Sequence, residues 1–326
     1  HHKHNVSDVF FTAALRVKPQ QARYDAQPIC SGKLRPMPYL IAVTLLWAVS
    51  FSLIGEYLAG QVDSYFAVLT RVVLASAIFL PLLRPSRLPG GLMLGITATG
   101  ALQFGLTYIG LYLSFGYLSV PEVLLFTVTT PVYVALLDNA LLRRFSWSPV
   151  IATGIAVIGA GVIRYDGISP DFVSGFLILQ GANLTFAAGQ VGYAHLMKRY
   201  PDSRGWDSFG FFFIGALLVT LPAWLALGDS SKLPSTGTHW LVLGWLGLVA
   251  SGLGFFFWNR GATQVDGGTL GIMNNALIPA GLIVNLLIWN RDADLGRLAI
   301  GGAIIALSLW LNARWQAAKP TAQRRA

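Results

Sequence analysis

Three charged residues stand inside long apolar stretches of this sequence and could do chemistry there. Arg71 lies in SYFAVLTRVVLASAIF, Glu122 in VPEVLLFTVTT, and Glu56 near the end of LLWAVSFSLIGEYLAG. A charge at the middle of a membrane helix costs about 2.5 to 3.5 kcal/mol, so such residues face a partner or a wet cavity. Arg71 is the strongest candidate, because its planar guanidinium can hold a carboxylate through two parallel hydrogen bonds.

Glu56 and Arg71 fall at comparable depth in neighbouring predicted helices, which predicts that they compensate each other's charge. Two alternatives stay open at this point. Glu56 and Glu122 can both lie at the solvated headgroup level, and Arg71 can belong to a structural ion pair.

Uncharged polar residues form a second group of candidates. Asn183 and Tyr193 lie in one predicted helix, and Asn274 and Asn275 precede Pro279 in another. A proline frees a backbone carbonyl, and such a break in a membrane helix is tolerated mainly where it lines a cavity. Amides carry donors and acceptors together, which suits a neutral polar ligand. Hydrogen bonding between helices is the alternative for each of these residues.

Two tryptophans, Trp47 and Trp258, could supply an apolar wall beside the amides. The alternative for each is packing or anchoring at the membrane interface.

The composition indicates which elements position these residues. Of the 326 residues, 54% are hydrophobic and 11% are charged, and the mean hydropathy is +0.59. A soluble domain does not carry this much apolar surface, so a membrane protein is predicted. The single cysteine, Cys30, excludes an internal disulfide framework and a Cys-rich metal site. The sequence contains no enzyme signature, and we expect no enzymatic activity, no metal and no cofactor.

The predicted fold class is an all-α polytopic membrane protein with ten transmembrane helices. A bilayer asks for roughly 20 apolar residues per helix. Runs of about this length cover residues 39–59, 64–83, 91–114, 118–142, 148–163, 173–196, 209–227, 240–258, 269–289 and 295–311.

A weak internal repeat organises these runs. A mid-helix proline followed by a short Gly/Ala-rich helix occurs in runs four and five and again in runs nine and ten. This pattern predicts two inverted five-helix repeats, 37–166 and 167–315, with the substrate site near the bilayer midplane between them. Residues 1–36 are predicted to be a disordered tail and 316–326 a cytoplasmic tail. Met37 directly precedes the first run, so the N-terminal tail need not belong to the natural product.

Basic residues indicate the orientation of the helices. Fourteen Lys and Arg residues lie in the loops and tails of one side and four in the loops of the other. Cytoplasmic loops collect Lys and Arg, so both termini are predicted to be cytoplasmic. The net charge of +9 therefore needs no nucleic-acid partner, since the basic residues form no surface interleaved with aromatic residues.

The ten-helix, two-half layout, with LLWAVSF in the first run and LTRVVLASAIFL in the second, resembles the EamA branch of the drug/metabolite transporter superfamily. Longer stretches resemble the biotin carriers of that branch. They are FSLIGEYLAGQVDSYFAVLTRV, IGAGVIRYDG, VASGLGFFFWNRGATQVDGGTLGIMNN and IPAGLIVNLLIWN. The resemblance extends over nearly all of residues 37–315.

This resemblance implies secondary transport of biotin into the cell across the bacterial inner membrane by alternating access. The implied partners are a small carboxylate substrate and the lipid bilayer, and participation of a coupling proton is left open. For such a ligand, Arg71 or Arg164 would face the carboxylate. Asn183, Asn274 and Asn275 would form hydrogen bonds with the ureido ring of biotin, and Trp47 and Trp258 would flank its apolar bicyclic body. Glu122 and Tyr193 are further candidate substrate contacts. Glu56 and Arg164 are assigned to gating or charge balance, and an exporter of amino acids, metabolites or drugs with the same fold remains the alternative.

Overall fold

The computed structural model describes residues 37–141, 170–200, 205–264 and 267–289, and single positions between 147 and 162 and between 296 and 315. In these ranges the regular structure is helical, without strands. The α-helices are α1 Met37–Leu53, α2 Ser64–Phe79, α3 Gly90–Gly100, α4 Thr107–Ser114, α5 Val120–Phe126, α6 Thr130–Leu141, α7 Pro170–Arg199, α8 Trp206–Leu227, α9 Gly237–Trp245, α10 Gly254–Ala262 and α11 Gly267–Trp289.

Seven helical spans in the described part are long and apolar enough to cross a membrane. They are Pro38–Leu58, Ser64–Leu82, Gly90–Ser114, Val120–Leu141, Pro170–Arg199, Trp206–Leu227 and Gly237–Ala262. These spans coincide with predicted runs one to four and six to eight, and α11 coincides with run nine. Runs five and ten lie largely outside the described residues, as does Arg164.

Three spans contain a π-helical segment, in which each backbone hydrogen bond spans five residues instead of four. These segments are Ile54–Leu58 after α1, Ala101–Leu106 between α3 and α4, and Leu246–Leu253 between α9 and α10. The second and third lie near the middle of their spans. A π-helical segment changes the direction of the following side chains and is frequent at functional sites.

Helix ends are fixed by local hydrogen bonds. The Asp63 carboxylate accepts the Phe66 N–H over 2.8 Å ahead of α2, and the Thr236 hydroxyl accepts the His239 N–H over 3.2 Å ahead of α9. Both are N-caps that satisfy a donor left free by the first turn. The turn after the first span contains Gly60, whose φ of +74° is the left-handed conformation that glycine adopts most readily.

The loops at the two ends of α2 form backbone hydrogen bonds with the first turn of α8 and with the loop that follows α8. At one end the Asp63 N–H donates to the Lys232 carbonyl over 2.8 Å, and at the other the Arg84 N–H donates to the Asp207 carbonyl over 3.1 Å. The helices α2 and α8 also pack along their length. Backbone bonds at both ends therefore hold the pair together.

The helices α3 and α8 cross at a very short distance. A Cβ on Gly100 would overlap the Phe212 carbonyl, and a Cβ on Gly215 would overlap the Thr97 carbonyl. Small residues permit such approach where packing, rather than the exclusion of water, drives helix association in a bilayer.

Aromatic rings fill the space between α2, α8, α10 and the π-helical segment Ala101–Leu106. Phe79 stacks on Phe213 with ring centroids 5.4 Å apart, and Phe104 meets Phe255 at 4.8 Å. These rings belong to one continuous cluster of buried side chains that reaches from α1 to α11. Several members of the cluster also line the cavity described next.

Candidate functional site

A cavity lies where segments of six of the predicted runs meet, namely runs one, three, four, six, eight and nine. Its volume is about 70 Å³, measured as the space that the centre of a water-sized sphere can occupy. It lies among α1, α4, the junction of α5 and α6, α7, α10 and α11. The lining residues are Thr44, Trp47, Phe51, Thr107, Tyr108, Leu111, Thr127, Thr130, Ala182, Asn183, Phe186, Trp258, Asn274 and Leu277.

The junction of α5 and α6 gives the cavity part of its polar character. A 3-10 turn, Thr127–Thr129, separates the two helices just ahead of Pro131, which has no N–H to continue the helical ladder. The Thr127 hydroxyl donates to the Leu124 carbonyl over 2.6 Å, and the Thr129 hydroxyl oxygen lies 3.1 Å from the Phe126 carbonyl, while its proton is directed mainly to the Gln180 side chain at 2.6 Å. Local hydrogen bonds thus satisfy part of the irregular backbone, as a bilayer requires.

Asn183 lies near the middle of α7 and lines the cavity beside this junction. Its amide nitrogen donates to the Phe126 carbonyl over 3.0 Å and to the Thr129 hydroxyl over 3.1 Å. A main-chain carbonyl can only accept, so this contact fixes the orientation of the amide. The Asn183 carbonyl oxygen forms no hydrogen bond to any described residue and remains available to accept one from a ligand.

The asparagines of α11 are only partly described. Asn274 lines the cavity, and its amide nitrogen has no hydrogen-bond partner among the described residues. It therefore offers a donor where Asn183 offers an acceptor. Asn275 is the next residue of α11, and its side chain lies outside the described part of the structure.

Both predicted tryptophans line the cavity and contact each other. The rings of Trp47 and Trp258 have centroids 4.9 Å apart with 38° between their planes, and Phe186 meets Trp47 edge-on at 6.3 Å. The Trp47 indole N–H donates to the Ala250 carbonyl over 3.0 Å. Ala250 belongs to the π-helical segment between α9 and α10, so that segment fixes the orientation of the tryptophan.

Arg71 lies behind the cavity rather than in its lining. The side chain is completely buried, and its guanidinium carbon stands 4.3 Å from the centre of the Tyr108 ring. Its Nε donates to the Ser251 hydroxyl over 3.0 Å, and its Nη1 donates to the Tyr112 hydroxyl over 3.1 Å. Tyr108, which lines the cavity, separates the guanidinium from it.

The predicted charge compensation between Glu56 and Arg71 is not formed in this structure. The hydrogen bonds of Arg71 go to Ser251 and Tyr112, and no carboxylate of the described residues pairs with it. Glu56 lies in the π-helical segment after α1, where the widened turn redirects the side chains that follow it. A gating role for Glu56 and Arg164 stays a prediction, and Arg164 lies outside the described residues.

Two further candidates lie outside the cavity lining. The Glu122 carboxylate accepts the backbone N–H and the hydroxyl of Ser119, each over 2.8 Å, and these bonds form a capping box at the start of α5. Tyr193 is buried and packs edge-on against Phe209 with centroids 5.9 Å apart. The structure thus brings five candidates to the cavity or directly behind it: Trp47, Asn183, Trp258, Asn274 and Arg71.

Some residues of the site escaped the sequence analysis. Gln180 accepts hydrogen bonds from the Thr129 hydroxyl over 2.6 Å and from the Tyr133 hydroxyl over 3.1 Å. Its position three residues before Asn183 places both on one face of α7, and this spacing was a usable signal. Ser251 carried no comparable signal, because its contact with Arg71 depends on how α2 packs against the π-helical segment.

Comparison with known proteins gives consistent matches. The pattern of the EamA-like transporter family matches residues 34–165. A "Probable biotin transporter" of Pseudomonas aeruginosa is 60% identical over 281 residues, which cover 85% of this chain and 97% of the relative. A "Biotin transporter" of Salmonella typhimurium is 48% identical over 282 residues, covering 86% of this chain and 94% of that protein. One from Escherichia coli is 48% identical over 285 residues with the same coverage.

A solved crystal structure has a similar fold. It matches with a TM-score of 0.63 and covers 87% of this chain and 99% of its own. At 16% sequence identity this match is evidence for the fold alone.

Proposed function

Because the chain belongs to the EamA-like transporter family, we propose that it carries biotin across a bacterial inner membrane and binds it in the cavity described above. The observation that carries the proposal is the identity of 48 to 60% to relatives named biotin transporters, over 85% or more of this chain. The polar and aromatic lining of the cavity suits the same ligand.

Biotin combines three chemical groups that correspond to parts of the site. Its ureido ring has two N–H donors and one carbonyl acceptor. The free Asn183 carbonyl oxygen accepts a ureido N–H, and the unpartnered Asn274 amide donates to the ureido carbonyl. Asn275, next to Asn274 in α11, is a further candidate for this contact.

The apolar bicyclic body of the ligand is proposed to pack against the tryptophans. Trp47 is held by its bond to Ala250, so its ring presents a fixed face. Aromatic lining with a few placed polar groups is the usual character of small-molecule sites.

We propose that ten helices form two inverted halves, 37–166 and 167–315, which move by alternating access. Two observations support this arrangement. The third and seventh described spans are each divided near the middle by a π-helical segment. The backbone bond from Asp63 to Lys232 at one end of the α2–α8 pair has a counterpart from Arg84 to Asp207 at the other. A site between inverted halves opens to each face in turn.

We further propose that both termini are cytoplasmic. The basic residues support this orientation: Lys198 and Arg199 end α7, and Arg84 and Arg87 follow α2 on the same predicted side. The side opposite carries Lys232 between α8 and α9.

The test is uptake of radiolabelled biotin by biotin-auxotrophic bacteria that lack their own uptake system, with and without this full chain. We expect accumulation that depends on the chain, and collapse of that accumulation by a proton uncoupler if a proton accompanies the substrate. Absence of accumulation, with the protein shown to be in the membrane, would contradict the proposal. An export assay with amino acids and toxic cations would then follow.

A further inference from the structure

Arg71 is a buried charge whose donors are only partly used. Two of its three nitrogens donate to Ser251 and Tyr112, whereas Nη2 has no hydrogen-bond partner in the part of the chain that the structure describes. No part of the side chain is exposed. A fully buried guanidinium with a free nitrogen is expected to face a partner that is not part of the protein's own hydrogen-bond network.

The charge of Arg71 is incompletely compensated. Among the described residues no carboxylate forms an ion pair with it. The rings of Tyr108 and Tyr112 lie 4.3 Å and 5.7 Å from the guanidinium carbon, and their faces attract a cation. Such contacts offset only part of the several kcal/mol that a buried ion loses with its hydration. An anion next to Nη1 and Nη2 would compensate the rest of the lost hydration free energy.

Tyr108 stands between this charge and the cavity. Its ring stacks on Phe104 at 4.4 Å with 9° between the planes, and Arg71 lies over the ring at 4.3 Å. The Arg71 guanidinium and the Phe104 ring cannot both occupy the same face of Tyr108 at these distances. The Tyr108 ring therefore lies between Arg71 and Phe104. The ring also lines the cavity. Since Arg71 is completely buried, a ligand in the cavity reaches it only when the Tyr108 side chain turns aside.

We propose that Arg71, with Tyr112 and Ser251, forms a carboxylate subsite behind the Tyr108 ring, and that this subsite selects the anionic form of the ligand over uncharged analogues. Ser251 and Tyr112 hold the guanidinium in place through Nε and Nη1, and the free edge of the fork binds the carboxylate. The inference rests on the proposed function for the identity of the ligand. It adds to that function the residue that binds the ligand's carboxylate, Arg71, and the ring that covers this residue, Tyr108.

The competing explanation is a structural one. Arg71 joins α2 to α4 and to the π-helical segment between α9 and α10, so its loss could simply loosen the helices. A structural role lowers the affinity for all ligands together. A carboxylate subsite changes the preference between a charged and an uncharged ligand, and this preference is the quantity to measure.

The experiment measures binding of radiolabelled biotin to the full chain in nanodiscs, and competition by biotinamide, in which an uncharged amide replaces the carboxylate. The wild type is expected to bind biotin at least about tenfold more tightly than biotinamide. In Arg71→Gln, biotin affinity is expected to fall to about that of biotinamide, while biotinamide affinity changes by less than about threefold. Arg71→Lys, which keeps the charge, is expected to retain part of the preference.

The control is Arg87→Gln, which removes an exposed charge from the short turn Pro85–Arg87 and is expected to leave the preference unchanged. If Arg71→Gln does not fold, Arg71→Lys and Ser251→Ala take its place. Arg71→Lys should then weaken biotin more than biotinamide, and Ser251→Ala should keep a preference for biotin.

The outcomes separate the two proposals. A preference for biotin that survives Arg71→Gln, or an equal loss for both ligands, overturns the subsite and leaves biotin transport intact. A wild type that binds neither biotin nor biotinamide overturns the proposed function, and with it the subsite.

Discussion

The Asn183 amide nitrogen donates to the Phe126 carbonyl over 3.0 Å, and this bond joins the middle of α7 to the break between α5 and α6. The same amide also contacts the Thr129 hydroxyl over 3.1 Å. With both of its donors used, Asn183 presents only its carbonyl oxygen to the cavity. The helix break therefore determines which ligand group this asparagine can bind, namely a hydrogen-bond donor.

Asn183→Ala tests this assignment. The change removes the acceptor proposed for a ureido N–H and takes away a donor from the buried Phe126 carbonyl. We expect at least about a tenfold loss of biotin affinity and a loss of about 1 to 3 kcal/mol in the free energy of unfolding. Radiolabelled biotin binding in nanodiscs measures the first effect, and thermal unfolding measures the second.

The matched control for that change is Asn259→Ala. Asn259 is equally buried and donates to the Phe255 carbonyl over 3.1 Å, yet it does not line the cavity. It is expected to lose stability while biotin affinity stays within about twofold. Equal losses of affinity in the two variants would contradict the role given to Asn183.

Trp47→Phe tests whether biotin binding needs the fixed orientation of the Trp47 ring or only an aromatic ring at this position. The variant keeps a ring beside Trp258 but leaves the Ala250 carbonyl without its indole donor. We expect the free energy of unfolding to fall by about 1 to 3 kcal/mol, and biotin affinity to fall because the ring is no longer held at one angle. Trp240→Phe, at a half-exposed position at the start of α9, should change neither quantity. Thermal unfolding and biotin binding of both variants decide the matter.

Glu122→Gln distinguishes the capping role of this residue from the substrate contact predicted from the sequence. The carboxylate accepts two hydrogen bonds from Ser119 at the start of α5. Gln can still accept these bonds through its amide oxygen, so loss of the charge should lower stability by only about 0.3 to 1 kcal/mol. Biotin affinity should remain within about twofold, since Glu122 is outside the cavity lining. A large loss of affinity at unchanged stability would restore the substrate contact.

Gly215→Ala tests the close crossing of α3 and α8. Its new methyl group would overlap the Thr97 carbonyl, and backbone cannot move aside without separating the helices. We expect a clear drop in the temperature of unfolding and in the yield of folded protein. Gly181→Ala, in α7, adds a methyl group into open space, so it should be neutral or stabilise by up to about 1 kcal/mol. A similar effect of both substitutions would exclude the packing explanation.

Cysteine labelling tests the proposed orientation. In a Cys30→Ser background, Ser86→Cys and Ser230→Cys place single exposed thiols in the loops after α2 and after α8. A membrane-impermeant maleimide should label position 230 in intact cells whose outer membrane is permeabilised, and position 86 only in inside-out vesicles. The reverse pattern would place the termini on the outer side.

The sequence by itself determined which segments are apolar enough to span a membrane, and which charged residues lie inside those segments at a cost in free energy. Runs of about 20 apolar residues are enough to predict spanning helices, because a bilayer demands that length and internal backbone bonding. Seven of the ten predicted runs correspond to described spans, and an eighth corresponds to α11. For the same reason Arg71 was recognisable as a functional candidate, since a buried charge is expensive wherever its partners lie.

Only the tertiary structure decided which side chains meet. Arg71 contacts Tyr112 and Ser251 rather than Glu56, and Glu122 turns back onto Ser119 instead of facing the cavity. These outcomes depend on helix crossings, on π-helical segments that rotate the residues after them, and on the helix break beside Asn183. Apolar periodicity fixes which face of a helix is buried, but it carries no information about the neighbour that buries it.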